Sequence, residues 1–88
     1  MSQQSQPMSN AQTLVIEAKD FQFEAVAQQN GLATAVRFKV HNPDVRIGDV
    51  LLILSGSEVQ FHGMIVQLEE GWAVASDPRD SQLPAAVH

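Results

Sequence analysis

Apolar and polar residues alternate most clearly on either side of the dipeptide Asn30-Gly31, with FQFEAVAQQ before it and LATAVRFKV after it. An Asn-Gly pair between two alternating runs is a strong sequence signal for a β-hairpin that turns in two residues. Counting outward from this turn pairs Ala25 with Val36 on the apolar face. The pattern therefore predicts two antiparallel strands whose register is set by Asn30-Gly31.

The opposite face of this hairpin is predicted to carry an ion pair, because the same register sets Glu24 across from Arg37. The alternative is a helix that begins at Asp20 and ends at Gly31, with these two residues as its caps. A helix accounts for the first half of the pattern and leaves the matching second half without an explanation, so we prefer the hairpin.

Further runs with the length and composition of strands lie at 13–18, 50–55, 58–68 and from 72 onward. The dipeptide Gly56-Ser57 fits a type II′ turn, which needs glycine in its first position. The Glu-Glu-Gly sequence at 69–71 fits a three-residue hairpin loop, which sets Leu68 opposite Trp72.

The apolar phase shifts twice along the chain, at Lys19-Asp20 and at Gly63, and each shift predicts a bulge or a bend. Strands joined in this way predict an all-β fold, a small antiparallel six-stranded meander that closes into a barrel. The expected organisation is a disordered tail at 1–12, a β-barrel domain at 13–77 and a flexible C-terminal segment at 78–88.

The strand at 50–55 is apolar on both of its faces. If Leu52 lies opposite Phe61 inside the barrel, Leu51 and Ile53 point outward. Large exposed apolar side chains in a small domain usually mark an interface. The predicted interface residues are Leu51, Ile53, Val26 and Met64.

Composition narrows the possible partners. The 88 residues suffice for one domain, and 10 acidic against 5 basic residues give a net charge of −5. Scattered bases in an acidic domain disfavour nucleic acid as a partner. The sequence contains no cysteine, which excludes disulfides and thiolate metal sites. With no secretory pattern and no apolar run long enough for a bilayer, we expect a cytoplasmic protein without membrane contact.

Candidate chemical groups are few. Arg46, in a loop at the predicted barrel end, is a possible anchor for an anionic ligand, and a salt bridge to Asp44 or Asp49 is the alternative. His41 shares that loop and His62 lies in a strand, but their spacing to the carboxylates matches no known metal motif. We therefore predict no metal site, no cofactor and no catalytic residue.

The stretch RIGDVLLILSGSEVQFHGMIVQLEEGWAVASD resembles the back half of PilZ domains, in which a glycine precedes a strand and a Gly-x-Ile/Val-Val strand leads to the closing strand. PilZ domains that bind cyclic di-GMP carry an Arg-x-x-x-Arg segment and an Asp/Asn-x-Ser-x-x-Gly loop, and this sequence has neither. The resemblance implies a member that acts through protein contacts.

The same region is similar to SH3-like barrels, including the plasmid-borne dihydrofolate reductases, in its runs of Gly-Asp, Ser-Gly, Gly-x-Ile-Val and Glu-Gly-aromatic-Ala-Val. The substrate-lining Val-Gln-Ile-Tyr of those enzymes corresponds to residues 81–84, where the glutamine is kept and the tyrosine is replaced by Pro84. This resemblance implies a small reductase only if other residues take over the substrate-lining role of the missing tyrosine.

The function that the sequence favours is a non-enzymatic interaction or adaptor module, which binds a protein partner or a second copy of itself. The roughly 65 residues left for the core are close to the lower limit for independent stability, which also points to self-association. The alternatives are a nucleotide- or nucleic-acid-binding barrel and a small reductase-like enzyme assembled at an oligomer interface. Salt-dependent binding to RNA or DNA would indicate the first alternative, and saturable reductase activity the second.

Overall fold

A computed structural model describes residues 11–85 of the chain. Its strands are β1 (Thr13–Glu17), β2 (Glu24–Gln29), β3 (Leu32–Lys39), β4 (Val50–Ser55), β5 (Glu58–Glu69) and β6 (Trp72–Ser76). They form one six-stranded sheet in the order β1-β4-β5-β6-β3-β2. The described chain is therefore all-β, as the alternation predicts.

The sheet differs from the predicted antiparallel barrel in two respects. β1 pairs in parallel with β4, and β1 and β2 are the two edges, so the sheet is mixed and open. After β1 the chain bends through a 3₁₀ turn at Ala18–Asp20, which is the bend predicted from the phase shift. Alternation identifies strands but not the partner of an edge strand, and a parallel pair joins segments that are distant in sequence.

The sheet curves strongly even though it does not close. The outer strands of a flat six-stranded sheet are about 24 Å apart. The residues between Glu17 and Glu24 include the 3₁₀ turn, so they reach at most about 20 Å. The sheet must therefore curl to bring β1 towards β2, and its concave side encloses the core.

The hairpin predicted at Asn30-Gly31 is confirmed. These residues have φ values of 57° and 81°, as a type I′ turn requires. Ala25 faces Val36 in the predicted register, and the pairing is irregular only around Ala27.

The turn predicted at Gly56-Ser57 is also confirmed. Gly56 has a φ of 63°, and Ser55 pairs with Glu58 across the turn. This geometry is that of a type II′ turn, in which only the first central residue has a positive φ.

The core lies on the concave side of the sheet. Its buried apolar residues are Phe21, Ala33, Val36, Phe38, Val45, Leu51, Ile53, Phe61, Ile65, Ala73, Ala75 and Leu83. The ring of Phe21 stacks on Phe23 at 5.1 Å and meets Phe38 edge to face at 5.4 Å. All four phenylalanines contribute to the core: three are buried, and Phe23 packs against them in a partly buried position.

Leu51 and Ile53, predicted to point outward, are instead fully buried in the core. A register shift after Ile53 leaves Gln60 as an extra residue in β5, so Phe61 faces Ile53 rather than Leu52. A shift of one residue exchanges the two faces of a strand. The predicted outward orientation of these two residues is therefore wrong, and their assignment to an interface loses the exposure on which it depended.

The N-terminal end of the described chain is part of the sheet, although the whole segment 1–12 was expected to be a tail. The carbonyl of Gln12 accepts a hydrogen bond from the Val50 amide at 2.9 Å, and its side chain donates to Asp49. Residues 1–10, which hold the rest of the predicted tail, lie outside the described residues.

The C-terminal segment 78–88, expected to be flexible, also contacts the sheet in its described part. Leu83 is buried, and its carbonyl accepts a hydrogen bond from the Ala33 amide at 2.7 Å. The Ala85 amide donates to the Gly31 carbonyl, and the residues beyond Ala85 lie outside the described chain. This segment therefore extends the sheet beside the β2–β3 turn.

We expect Gly31→Val to lower the free energy of unfolding by about 1–3 kcal/mol, measured by urea denaturation. The cost is backbone strain, because Gly31 has a φ of 81° and no heavy atom lies within 4 Å of an added Cβ. Gly31→Asn is the control and should cost less, since asparagine tolerates a positive φ. Equal stability of the valine variant and the wild type would contradict the turn assignment.

We expect Gly63→Ala to lower the free energy of unfolding by about 1–3 kcal/mol, because the core must shift to accept a methyl group. A Cβ at Gly63 would lie 2.5 Å from both the Ser76 carbonyl oxygen and Cε1 of Phe61. Val59→Ala, in the exposed part of the same strand, should change stability much less. The packing argument fails if both variants unfold at the same urea concentration.

Candidate functional site

The last hairpin turns β6 so that its larger side chains face outward. Glu70 and Gly71 have φ values of 48° and 86°, and Glu69 pairs with Trp72. The connection is therefore a two-residue turn and not the predicted three-residue loop. The predicted pairing of Leu68 with Trp72 is wrong for this reason, and Trp72 lies on the convex face.

The sequence of β6, WAVAS, alternates larger residues with alanine. Ala73 and Ala75 are fully buried, whereas Trp72 and Val74 are partly exposed. Both sets are apolar, so alternation alone does not say which set faces the core. Trp72 is not identifiable as a surface residue from the sequence, because the length of the loop before β6 decides which set faces outward and two loop lengths fit the sequence.

A shallow groove crosses the convex face from β2 to β5. This outer-face groove has a volume of about 170 Å³. Its lining residues are Val26, Arg37, Gln67, Glu69, Trp72 and Val74. The register brings them together, since Val74 of β6 pairs with Arg37 on one side and with Gln67 on the other.

Arg37 and Trp72 are in direct contact within the outer-face groove. Cζ of Arg37 lies 4.0 Å from the centre of the Trp72 ring, and Nζ of Lys39 lies 5.9 Å from it. Nη1 of Arg37 also donates to Oε1 of Glu24 at 3.1 Å, the ion pair that the hairpin register predicts. At an exposed position each contact is worth about 1 kcal/mol or less, so their main effect is to orient the guanidinium.

The oriented guanidinium keeps donors for a further partner. An arginine has about five N–H donors, and Glu24 accepts from the one terminal nitrogen Nη1. The Arg37 side chain is 40% exposed. An indole and a guanidinium side by side can pack against apolar atoms while donating to a carboxylate or a carbonyl.

Two of the four predicted interface residues lie on this exposed face. Val26 is 57% exposed and lines the outer-face groove, and Met64 is 52% exposed. Met64 pairs with Ser76, which pairs in turn with Ala35, so small residues separate Met64 from the β2 edge. Val66 adds another large apolar side chain that is 49% exposed.

Arg46 is exposed, and within residues 11–85 its guanidinium forms no ion pair with Asp44 or Asp49. Its backbone amide instead donates to Oδ2 of Asp49 at 2.9 Å. Arg46 as a ligand anchor therefore stays a prediction.

The Asp49 carboxylate is buried and holds the N-terminal end of the chain against the loop before β4. Oδ1 accepts a hydrogen bond from the Gln12 amide at 3.1 Å, and Oδ2 accepts from the Gln12 side chain and the Arg46 amide. Burial alone would raise the pKa of this carboxyl. The hydrogen bonds and the nearby charge of Arg46 outweigh burial, so its pKa lies below the ordinary value of 3.8.

The histidines of the described chain are exposed and do not gather into a metal site. Within residues 11–85 no group of three or more His, Cys, Asp and Glu side chains is arranged to hold a metal ion. His62 faces Leu52 rather than Leu51, because of the shift at Gln60. Its backbone amide donates to Oδ2 of the buried Asp77 at 3.0 Å, which fastens the turn after β6 to β5.

Two wider recesses lie elsewhere on the surface. One, of about 420 Å³, lies between the loop after β3 and the β5–β6 turn, and the other, of about 360 Å³, lies beside Met64 and Asp77. Of these three recesses, the outer-face groove alone has an indole and a guanidinium in contact. We therefore take it as the candidate site.

Comparisons with protein-family models, curated proteins and solved structures found no match. The resemblances to PilZ and SH3-like barrels therefore stay predictions. Within residues 11–85, no helix is both long and apolar enough to cross a membrane.

We expect Asp49→Asn to lower the free energy of unfolding by about 1–3 kcal/mol near neutral pH, because buried hydrogen-bond acceptors are lost. The folded-state pKa is lowered, so the stability that the carboxylate contributes is present above its unfolded pKa. It is lost as the pH falls through the folded-state pKa. The difference between variant and wild type should therefore shrink below about pH 4 in urea denaturation.

Asp44→Asn is the matched control for this measurement. Asp44 is exposed, and its bonds to Gln12 and Asn42 use its backbone carbonyl and amide rather than its carboxylate. A stability loss that is equal in both variants, or that does not change with pH, would contradict the role given to Asp49.

Proposed function

We propose that this protein is a non-enzymatic interaction module that binds a protein partner through the outer-face groove. The observation that carries the proposal is the contact between the partly exposed Arg37 and Trp72 on a sheet face with apolar surroundings. Tryptophan and arginine are among the residue types that contribute most to protein–protein binding when they are buried by a partner.

The surroundings of the groove support a partner with both apolar and acidic groups. Val26, Met64 and Val66 are each about half exposed on the same face, and burying such side chains favours association. Arg37 and Lys39 flank the indole and can pair with a carboxylate of the partner. We expect the partner to place an apolar side chain on Trp72 and an acidic group beside Arg37.

A structural rather than catalytic role for the described ionisable groups fits this proposal. Asp49, whose pKa is shifted, is enclosed by hydrogen bonds from its own loop and from Gln12. Action through protein contacts also agrees with what the PilZ resemblance implies. The compartment that we propose is the cytoplasm.

Single-stranded nucleic acid is a second candidate, because an exposed aromatic ring between two cations is also a stacking platform for bases. Glu24 and Glu69 lie beside this ring system and oppose phosphate binding. The net charge of −5 opposes it as well. The protein partner is therefore the better supported of the two.

The proposal is tested by comparing the proteins that the wild type and two groove variants retain from a lysate of the source cells. We expect Trp72→Ala and Val26→Asp each to lose a partner that the wild type retains, and Trp72→Ala to weaken binding of that purified partner at least tenfold in calorimetry. Val59→Asp, an equally exposed valine away from the groove, is the control and should keep the partner.

Thermal unfolding of all variants separates loss of binding from loss of folding. Retention of the same partner by folded Trp72→Ala and Val26→Asp would overturn the assignment of the groove. Binding of a fluorescent single-stranded oligonucleotide that weakens with added salt and is lost in Trp72→Ala would replace the protein partner by the second candidate.

A further inference from the structure

The edge strand β1 has one hydrogen-bonded neighbour in the described sheet, β4. The Val50 amide donates to the Gln12 carbonyl, and Thr13 is the residue in register with Val50. In a parallel ladder the amide and carbonyl of one residue point to the same neighbouring strand, and the direction alternates from residue to residue. The residues on either side of Thr13 therefore direct their backbone groups to β4. The amides and carbonyls of Thr13, Val15 and Glu17 therefore point to the open edge.

The two edges of the sheet are not protected equally. Proteins commonly protect a sheet edge with bulges, prolines or charges. β2 has two irregular positions around Ala27, whereas β1 pairs with β4 without any shift. β1 contains no proline and no lysine, and its one charge is Glu17 at its end. It is a regular, mainly apolar strand whose outward backbone groups have no partner within residues 11–85.

The sequence of β1, TLVIE, is self-complementary in antiparallel pairing about Val15. In that register Val15 pairs with the partner's Val15, and Thr13 pairs with the partner's Glu17. These are the residues whose backbone groups are free, so the pairing makes about six hydrogen bonds. On the concave face Leu14 meets the partner's Ile16, and both residues are only partly buried in one copy.

We infer that β1 is a self-association edge, on which a second copy of this chain adds its own β1 in antiparallel pairing around Val15. A twofold axis through Val15 makes the contact closed and symmetric, as in most homodimers. The Glu17 carboxylates do not oppose it, because the two Glu17 residues are roughly 14 Å apart, beyond the screening length of about 8 Å at physiological salt.

This inference does not rest on the proposed partner site. The outer-face groove crosses β2, β3, β6 and β5, and β1 is at the opposite edge of the sheet. Contact through a single strand is smaller than the roughly 1,200 Å² of a stable interface, so the dimer is expected at high protein concentration. Added salt should strengthen it, since each copy carries a net charge of −5.

The test is sedimentation of the full chain over a range of concentrations, with two variants of the same side chain. Val15→Thr keeps the backbone amide and should still dimerise. Val15→Pro removes a donor that points away from β4, so it should fold and dimerise at least tenfold more weakly than Val15→Thr. Equal dimerisation of the two variants, or a monomeric wild type at all concentrations, would overturn the inference.

Hydrogen exchange of the wild type decides the question if the proline variant does not fold. We expect the amides of Val15 and Glu17 to become protected as the protein concentration rises. The amides of Leu14 and Ile16, which face β4, should be protected at every concentration. Protection of Val15 that does not depend on concentration would rule out the second copy, and it would leave the groove proposal unaffected.

Discussion

The packing of the Phe61 ring over Gly63 is the constraint on which the rest of the sheet depends. Gly63 has no side chain, and both the Phe61 ring and the Ser76 carbonyl oxygen occupy the space that a Cβ would need. This contact brings β5 and β6 close together, next to the position where Phe61 lies opposite Ile53 of β4. The close packing of the three neighbouring strands β4, β5 and β6 therefore depends on a residue without a side chain at position 63.

Irregular positions on either side of this contact decide which side chains of β5 are inside. Gln60 is the extra residue before it, and the register shifts again around Val66. Between the two shifts, Phe61 and Ile65 are buried, while Val59 before the first shift and Val66 at the second are about half exposed. A strand of 12 residues can follow a strongly curved sheet only if extra residues change, along its length, which side chains point to the core.

The parts of the fold that the sequence predicts are those encoded by local chemistry. Asn30-Gly31 and Gly56-Ser57 specify their turns because few residues accept a positive φ, and the register follows from the turn. The extra residue at Gln60 carries no comparable chemical mark, so the orientation of Leu51 and Ile53 is wrong when it is read from alternation. The pairing of β1 with β4 is non-local, and its direction is not encoded in either strand.

The candidate site was predictable only in part for the same reason. Met64 follows from alternation, because it lies in a regularly paired part of β5. Val26 is exposed as alternation predicts, although it lies at the irregular pairing around Ala27. Trp72 does not follow from alternation, since both Glu69-Glu70-Gly71 and Glu70-Gly71 are acceptable connections and the two choices put the indole on opposite faces. The contact of Arg37 with Trp72 depends on that choice and on the pairing of β3 with β6, which are distant in sequence.

The attachment of β1 has a consequence for the order in which the sheet assembles. Gln12 and Asp49 are 37 residues apart, whereas the β2–β3, β4–β5 and β5–β6 pairs each close through a short turn. Closing a long loop costs more entropy and is slower than closing a hairpin. The β3–β6 pair is also distant in sequence, so both non-local pairings are expected to form after the hairpins. Of the two, β1 is the unit expected to detach more easily from the native protein, because it has one hydrogen-bonded neighbour in the described sheet. Each such opening exposes the backbone edge of β4 and withdraws Leu14 and Ile16 from the core against which they pack.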